Sequence, residues 1–178
     1  MVHKILRYFA YSITIFFLPI FLVVIFLLRN FVIIRFLSVP TNRIGHFAGN
    51  IEMYLSKKKN NNTEKYYDIA FYQKYISNKF LAKMWRRKLN VYPNYFVFPL
   101  YFFFKFFSKY FAFMKKHICV TQSFESRDCD NTLDNMSPQI EFEKKEIEQG
   151  FKQLKDFGLD ESSKFVCFII RDQEYLKK

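Results

Sequence analysis

The stretch FVIIRFLSVPTNRIGHFAGNIEMYL, residues 31–55, carries the pattern that decides the fold. Phe31–Leu37 is β-branched, aliphatic or aromatic apart from one arginine, which predicts a buried strand. Ser38–His46 contains Pro and Gly among polar residues and predicts a loop. From Phe47 to Leu55 the apolar residues recur at helical spacing, which predicts a helix. Strand, loop and helix in this order begin a β-α-β unit.

The same alternation continues along the chain. The predicted elements are a strand at Tyr66–Tyr72, a helix at Asn78–Leu89, a strand at His117–Thr121, a helix at Glu143–Phe157 followed by Gly158, and a strand at Lys164–Ile170. Polar stretches at Lys57–Lys65 and Glu125–Pro138 predict surface loops. Strands that alternate with helices indicate an α/β domain with a parallel sheet over residues 31–178.

Residues 1–30 have the features of a membrane anchor. Tyr8–Leu28 contains 21 uncharged residues between Arg7 and Arg29, and as a helix it would be roughly 31 Å long, close to the thickness of a hydrocarbon core. Pro19 would kink this helix without excluding it, since membrane helices tolerate proline. The stretch lacks the short apolar core and the small-residue cleavage site of a signal peptide. We therefore expect a retained, single-pass transmembrane helix.

The charge of the chain is unevenly distributed. Residues 1–118 contain 19 Lys and Arg and three acidic residues, whereas residues 119–178 contain nine and 13. Basic residues beside an apolar anchor are typical of attachment to anionic membrane lipid. The larger number of cations after the anchor predicts that the soluble part lies on the cytoplasmic face of the inner membrane. Nucleic acid is not an expected partner, because the basic stretch around Trp85 belongs to no recognised binding module.

A second aromatic run, Tyr95–Met114, has three interpretations. Lys105 and Lys109 are four residues apart and would share one face of a helix. A membrane-spanning helix would bury both lysines in hydrocarbon at a cost of several kcal/mol. An amphipathic helix in the membrane interface avoids this cost, and so does an ordinary core helix of the domain.

No metal or cofactor site is predicted. Cys119, Cys129 and Cys167 are widely spaced and form no C-x-x-C or Cys/His cluster. The segment Asp128-Cys-Asp130 has the spacing of a metal-carrying D-x-D motif but lies in a polar loop. The chain also lacks the G-x-S-x-G motif of hydrolases.

Two segments follow predicted strands, and ligands of open α/β sheets bind at the carboxyl ends of strands. In Arg43–Glu52, Gly45 and Gly49 would let the backbone approach a ligand, and the start of the helix offers free N–H groups to an anion. This segment has neither the P-loop nor the dinucleotide-binding glycine pattern, so an ordinary turn is the alternative. After the last predicted strand, Arg171 could form two hydrogen bonds with phosphate oxygens while Asp172 orients its guanidinium. The alternative is that Arg171 and Asp172 form an ion pair at the surface.

Three sequence blocks occur in one order: RIGHFAGNIEMYL at 43–55, SRDCDNTLDN at 126–135 and FEKKEIEQGFKQLKDFGLDESSKFVCFIIRDQEYL at 142–176. Together they resemble a family of bacterial glycosyltransferases linked to surface-polysaccharide synthesis, and the resemblance covers residues 31–178. This family is similar to the GT-B enzymes, in which two Rossmann-like domains face each other across a cleft. In those enzymes the nucleotide sugar binds mainly to the C-terminal domain.

The resemblance implies which residues would contact the substrates. The cleft would be lined from the first domain by Arg43, Gly45, His46, Asn50 and Glu52. The donor diphosphate would be held by Arg171, Asp172 and Tyr175. Ile169 stands where the family motif has a histidine, so the second set departs from the pattern. No catalytic residue is identified.

The resemblance also implies a function. The chain would be the N-terminal half of a GT-B-like fold, incomplete and inactive alone, and attached to membrane lipid. The complete protein would transfer a sugar from a nucleotide sugar to a glycan or a lipid-linked acceptor, without a metal ion. The alternative is a non-catalytic, membrane-associated binding or scaffold protein.

Overall fold

The computed structural model describes residues 9, 11–60, 65–119, 121, 128, 131–160, 162–164 and 166. The chain divides into two compact units, Met1–Glu141 and Phe142–Lys178. The strands of the first unit are β1 (Ile33–Val39), β2 (Tyr66–Tyr72) and β3 (Ile118–Cys119). Its helices include, among the described residues, α1 (Leu18–Leu28), α2 (Ile44–Asn60), α3 (Lys79–Trp85), α4 (Asn94–Phe107) and α5 (Ala112–Lys115). The second unit contains helix α6 (Lys144–Asp156).

The sheet consists of three parallel strands in the order β2-β1-β3. Ile33 of β1 pairs with Tyr66 of β2, and Phe36 of β1 pairs with Ile118 of β3. Two neighbouring parallel strands must be joined by a connection that returns to the other end of the sheet, and this connection is usually a helix. The prediction of an α/β fold with a parallel sheet is confirmed, and β2 has the bounds that the sequence predicts.

Helices cover both faces of the sheet. On one face, Leu37 and Val39 join a core that includes buried side chains of α2 and α3, among them Phe47, Ile51, Tyr54, Ala82 and Trp85. On the other face, Phe36 and Phe71 pack with buried side chains of α1 and α4, which are Ile25, Val97, Leu100, Tyr101 and Phe104. Successive side chains of β1 therefore enter two different cores, which explains why its sequence is apolar at nearly every position.

Helix α2 is longer than the sequence predicts. It extends from Ile44 to Asn60, so Lys57–Lys59 lie in its last turn and the prediction of a surface loop there is wrong. Cations near a helix C-terminus interact favourably with the helix dipole. Lys58 also forms an ion pair with Asp68 of β2, which connects this end of the helix to the sheet.

The aromatic run Tyr95–Met114 forms two helices separated by a turn. Helix α4 ends at Phe107 and α5 begins at Ala112, so the interpretation as one continuous spanning helix is not supported. One side of α4 is buried in the core of the first unit. Its other side exposes large apolar side chains, which include Phe98, Phe102 and Phe106. The run is therefore a core helix that also presents an apolar surface.

The predicted spanning helix in residues 1–30 is interrupted. Residues 11–16 and α1 are helical, with a turn at Phe17 between them. Pro19 lies in the first turn of α1 and has no N–H with which to continue the hydrogen-bond ladder. Among the residues that the structure describes, no helix combines the length and the apolar character needed to cross a bilayer. The prediction of a transmembrane helix is therefore not supported.

Helix α6 matches its prediction closely. Glu143 and Glu146 form a reciprocal capping box at its start. Gly158 follows its end with a φ of 79°, a left-handed conformation that favours glycine. The strand predicted at Lys164–Ile170 lies mostly outside the described residues, and Lys164 and Val166, which are described, are not in a strand.

Candidate functional site

The loops that follow β1 and β2 are joined at the carboxyl edge of the sheet. Thr41 is fully buried, and its hydroxyl donates a hydrogen bond of 2.5 Å to the carbonyl of Tyr75. The carbonyl of Thr41 accepts a hydrogen bond of 2.9 Å from the amide of Ser77. Asn78 then caps α3 by accepting from the amide of Leu81 at 2.9 Å. These contacts make the β1–α2 loop a fixed part of the edge.

The sheet has a topological switch point between β1 and β3. The chain leaves β1 through α2 to reach β2 on one side, and it returns through α4 and α5 to β3 on the other side. Where the strand order of such a sheet reverses, a crevice lies outside the carboxyl ends of the strands, and ligands of such folds bind there. The crevice is bordered by α2 and by Thr121, whose hydroxyl donates to the carbonyl of Ser38 at 3.4 Å.

Three of the predicted site residues lie on one side of the start of α2, the element that follows β1. Arg43 is the residue before α2, and His46 and Asn50 lie three and seven residues after it, so the three positions share one side of the helix. Asn50 is buried and donates from its amide to the carbonyl of Thr121 at 2.5 Å, which places this side of α2 against the chain after β3. Arg43 is exposed and His46 is half-buried. We call these three residues the polar row of α2.

Glu52 lies on a different side of α2 and has a structural contact. Its carboxylate accepts a hydrogen bond of 2.6 Å from the amide of Gln139. This contact holds the segment before the end of the first unit against the helix. Glu52 therefore lies on a different side of α2 from the polar row, and its role in lining a cleft stays a prediction.

Gly45 and Gly49 share the side of α2 on which Glu52 lies, because they are spaced by four and three residues. A Cβ atom built on either glycine meets nothing within 4 Å among the described residues. Both glycines have helical neighbours and ordinary helical conformations. Packing against the described residues therefore does not require glycine at either position.

A polar cluster that the sequence analysis did not predict connects α2 to the sheet. Arg35 donates from Nε to Asp68 at 2.8 Å and from Nη2 to the hydroxyl of Tyr54 at 2.7 Å. Tyr54 donates to the second oxygen of Asp68 at 2.5 Å, and Lys58 donates to the same oxygen. The guanidinium of Arg35 also lies 3.7 Å from the ring centre of Tyr66. We call Arg35, Tyr54, Lys58 and Asp68 the Asp68 cluster.

The electrostatics of the Asp68 cluster favour a structural role. Burial alone would raise the pKa of Asp68, but hydrogen bonds from Arg35, Lys58 and Tyr54 outweigh burial and lower this pKa below its ordinary value of 3.8. Burial and the nearby charge of Asp68 raise the pKa of Tyr54, so its hydroxyl stays a neutral donor. The paired residues Arg35 and Asp68 each stand third in their strand, far from the carboxyl edge.

Asp128 is the described residue of the D-x-D segment, and Asp130 lies outside the described residues. Both carboxylate oxygens of Asp128 accept backbone hydrogen bonds, from Thr132 at 2.6 Å and from Leu133 at 2.8 Å. In the described part of the chain, no three His, Cys, Asp or Glu side chains come together as metal ligands would. The predicted diphosphate residues Arg171, Asp172 and Tyr175 lie outside the described residues.

Similarity to known proteins could assign the chain to a family. Comparison of the chain with protein-family models, with curated proteins and with solved structures gave no match. The functional assignment therefore depends on the residues and the fold themselves. Parallel α/β sheets bind ligands outside the carboxyl ends of their strands, and the polar row of α2 follows the carboxyl end of β1.

Proposed function

We propose that the chain is the first, Rossmann-like half of a GT-B-like glycosyltransferase that acts in surface-polysaccharide synthesis at a membrane. The observation that carries this proposal is the hydrogen bond from Asn50 to the carbonyl of Thr121, which holds α2, with His46 in it and Arg43 just before it, against the chain after β3. A nucleotide sugar would be the donor, and a glycan or a lipid-linked molecule would be the acceptor. The three sequence blocks that resemble such enzymes support the same assignment.

The chemistry of the polar row suits an anionic sugar substrate. Arg43 is exposed and permanently cationic, so it can form paired hydrogen bonds with phosphate or carboxylate oxygens. The first N–H groups of α2 have no partners within the helix. They point outward from its N-terminus, which is the positive end of the helix dipole and attracts anions. His46, one turn further along, has an imidazole whose ring nitrogens can form hydrogen bonds with a sugar hydroxyl. The row would bind and orient a substrate at the rim of the cleft.

Membrane attachment is part of this proposal. Apart from the buried Ile25, the side chains of α1 are largely exposed, although all of them are apolar. Helix α4 presents a further apolar face. The first unit combines these surfaces with a large excess of cations. We propose that the chain lies on the cytoplasmic face of the inner membrane, where a lipid-linked acceptor would be within reach.

Saturation-transfer NMR on the detergent-solubilised chain tests the nucleotide-sugar assignment, with UDP-, GDP- and CMP-sugars as probes. One half of a cleft leaves the donor largely solvated, so we expect binding of about 1 mM or weaker. Arg43→Ala should reduce the signal about tenfold, since a charge-assisted contact is lost. The matched control Arg87→Ala removes another exposed arginine and should leave the signal unchanged. Absence of any signal, or an equal loss in both variants, would refute the assignment.

The non-catalytic alternative is a membrane-associated scaffold. The observation that favours it is the structural engagement of Asn50 and Glu52, which hold neighbouring segments in place. A scaffold would bind none of the three nucleotide sugars, and its membrane attachment would be intact. The same NMR titration therefore separates the two functions.

A further inference from the structure

An apolar groove runs between α1 and the segment formed by α4 and α5. Its volume is about 520 Å³, which lies within the range of small-molecule sites. The walls are formed by apolar side chains that include Leu22, Phe26, Phe104, Phe113 and Met114. A second apolar groove of about 260 Å³ lies further along the junction of the same helices. We call the larger one the α1–α5 groove.

The α1–α5 groove is open to the surface although its lining is apolar. Ile25 and Phe104 are buried at its base, whereas Val23, Phe26 and Phe113 are 57%, 58% and 60% exposed. Soluble surfaces rarely expose several large apolar side chains side by side, and such patches mark contacts with partners or membranes. The groove is therefore a place where an apolar ligand would replace water.

The charged residues at the groove are cations. Arg29 and Lys116 both line it and are both exposed, and the guanidinium of Arg29 lies 3.9 Å from the ring centre of Phe26. Lys105, Lys109 and Lys115 are also exposed on or near α4 and α5. The sequence contains no acidic residue before Glu52 and none between Asp68 and Glu125. A ligand for this groove would thus combine an apolar chain with an anionic head.

We propose that the α1–α5 groove binds one acyl chain of an anionic phospholipid, whose phosphate contacts Arg29 and Lys116. This inference rests on the membrane location proposed above and names the class of lipid. The acyl chain covers the exposed apolar walls, and the two cations neutralise the phosphate. The phospholipid thereby orients the first unit on the membrane by a specific contact, in addition to general attraction to a charged surface.

Native mass spectrometry of the full, delipidated chain in detergent tests this proposal. Phosphatidylglycerol and phosphatidylcholine of equal acyl length are titrated separately. We expect one phosphatidylglycerol molecule to bind with an apparent Kd about tenfold below that of phosphatidylcholine. The double variant R29Q/K116Q should remove this preference. The matched control K79Q/K88Q removes two exposed lysines at and after α3 and should retain the preference.

A second pair of variants tests the apolar part of the site. Val23→Trp places a large side chain in the groove from an exposed position and should reduce the occupancy of both lipids about tenfold. If this variant has a lowered Tm, Phe113→Trp replaces it, since Phe113 is exposed on the opposite wall. Inorganic phosphate at millimolar concentration should not displace the lipid, because it lacks the acyl chain.

Three outcomes would overturn the proposal: equal affinity for the two lipids, an equal effect of R29Q/K116Q and K79Q/K88Q, or complete displacement by phosphate. Failure here is distinguishable from failure of the glycosyltransferase assignment. The lipid titration contains no nucleotide sugar, and Val23→Trp lies outside the polar row of α2. The saturation-transfer signal of this variant should equal that of the unchanged chain.

Discussion

Asp68 accepts hydrogen bonds from three side chains, and two of these donors are cations. Replacing it with asparagine keeps the shape and removes the charge. Arg35, whose side chain is 15% exposed, would then lose its counter-ion in a partly buried site. We expect Asp68→Asn to lower the free energy of unfolding by about 2 kcal/mol, below the range for fully buried pairs because some solvent screening remains. Urea unfolding of the solubilised chain measures this loss.

The pH dependence provides a control for this prediction. The folded-state pKa of Asp68 is lower than the ordinary 3.8, so its contribution to stability is complete above that value and is lost as the pH falls through the folded pKa. Below about pH 4 the unchanged chain should therefore lose more stability than Asp68→Asn. Asp134→Asn, which alters an exposed carboxylate, should have little effect at neutral pH. Equal losses in the two variants would contradict the role assigned to Asp68.

At the residue scale, part of the Asp68 cluster was visible in the sequence. Arg35 and Asp68 are the charged residues of β1 and β2, and each is third in its strand. Neighbouring parallel strands in register bring such positions together, so opposite charges there indicate a pair. The contact of Asn50 with Thr121 was not predictable, because 71 residues separate them and β3 is only two residues long.

At the element scale, β2 was predicted with its observed bounds because its apolar residues are continuous and its flanks are polar. The end of α2 was predicted wrongly, since three lysines and several asparagines resemble a loop in composition. Their position at a helix C-terminus, together with the Lys58–Asp68 pair, stabilises the helical conformation instead. Composition indicates the conformation that a segment prefers in isolation. At the end of α2, the tertiary contact with Asp68 stabilises the helical conformation.

The division of the predicted site also follows from an element. Residues 43–52 were treated as one lining, yet helical spacing separates Arg43, His46 and Asn50 from Gly45, Gly49 and Glu52. The sequence alone could have given this division once the helix was extended to Ile44. What it could not give is the partner of each side, because Thr121 and Gln139 reach α2 through the tertiary fold.

Glu52 holds the segment around Gln139 against α2, and this contact predicts a local effect. Glu52→Ala should leave the amide of Gln139 without its partner. The free energy that holds residues 131–141 in place should fall by about 1–3 kcal/mol. Limited proteolysis should then cut this segment several times faster than in the unchanged chain. Glu141→Ala, a nearby exposed carboxylate, is the control. Identical cleavage rates would mean that Glu52 has no such role.

At the scale of the whole molecule, α1 has one side that packs on the core and one that is exposed. Ile25 and the partly buried Leu18 and Leu22 pack on the core beside Phe36 and Phe104. The opposite side is apolar and exposed. A helix that served only as a core element would carry polar residues on its outer side. Removing α1 entirely would uncover the core, so deletion is a poor test of membrane attachment.

A sharper test changes only the outer side of the N-terminal helical region. Phe16, Ile20 and Leu27 are 77%, 58% and 65% exposed and do not line the α1–α5 groove. Replacing all three with serine should leave Tm unchanged and weaken membrane partition by roughly 5 kcal/mol, since each large apolar side chain contributes about 1.5–3 kcal/mol. The control replaces Tyr75, Phe142 and Phe157, which are 60%, 61% and 81% exposed elsewhere in the chain.

Membrane fractions washed with about 1 M NaCl measure the result, because the Debye length then falls to about 3 Å and attraction between lipid and exposed cations is screened. The unchanged chain and the control should remain in the pellet, since apolar contacts do not depend on ionic strength. The triple-serine variant should appear in the supernatant. Its retention would show that Phe16, Ile20 and Leu27 are not needed to hold the chain at the membrane.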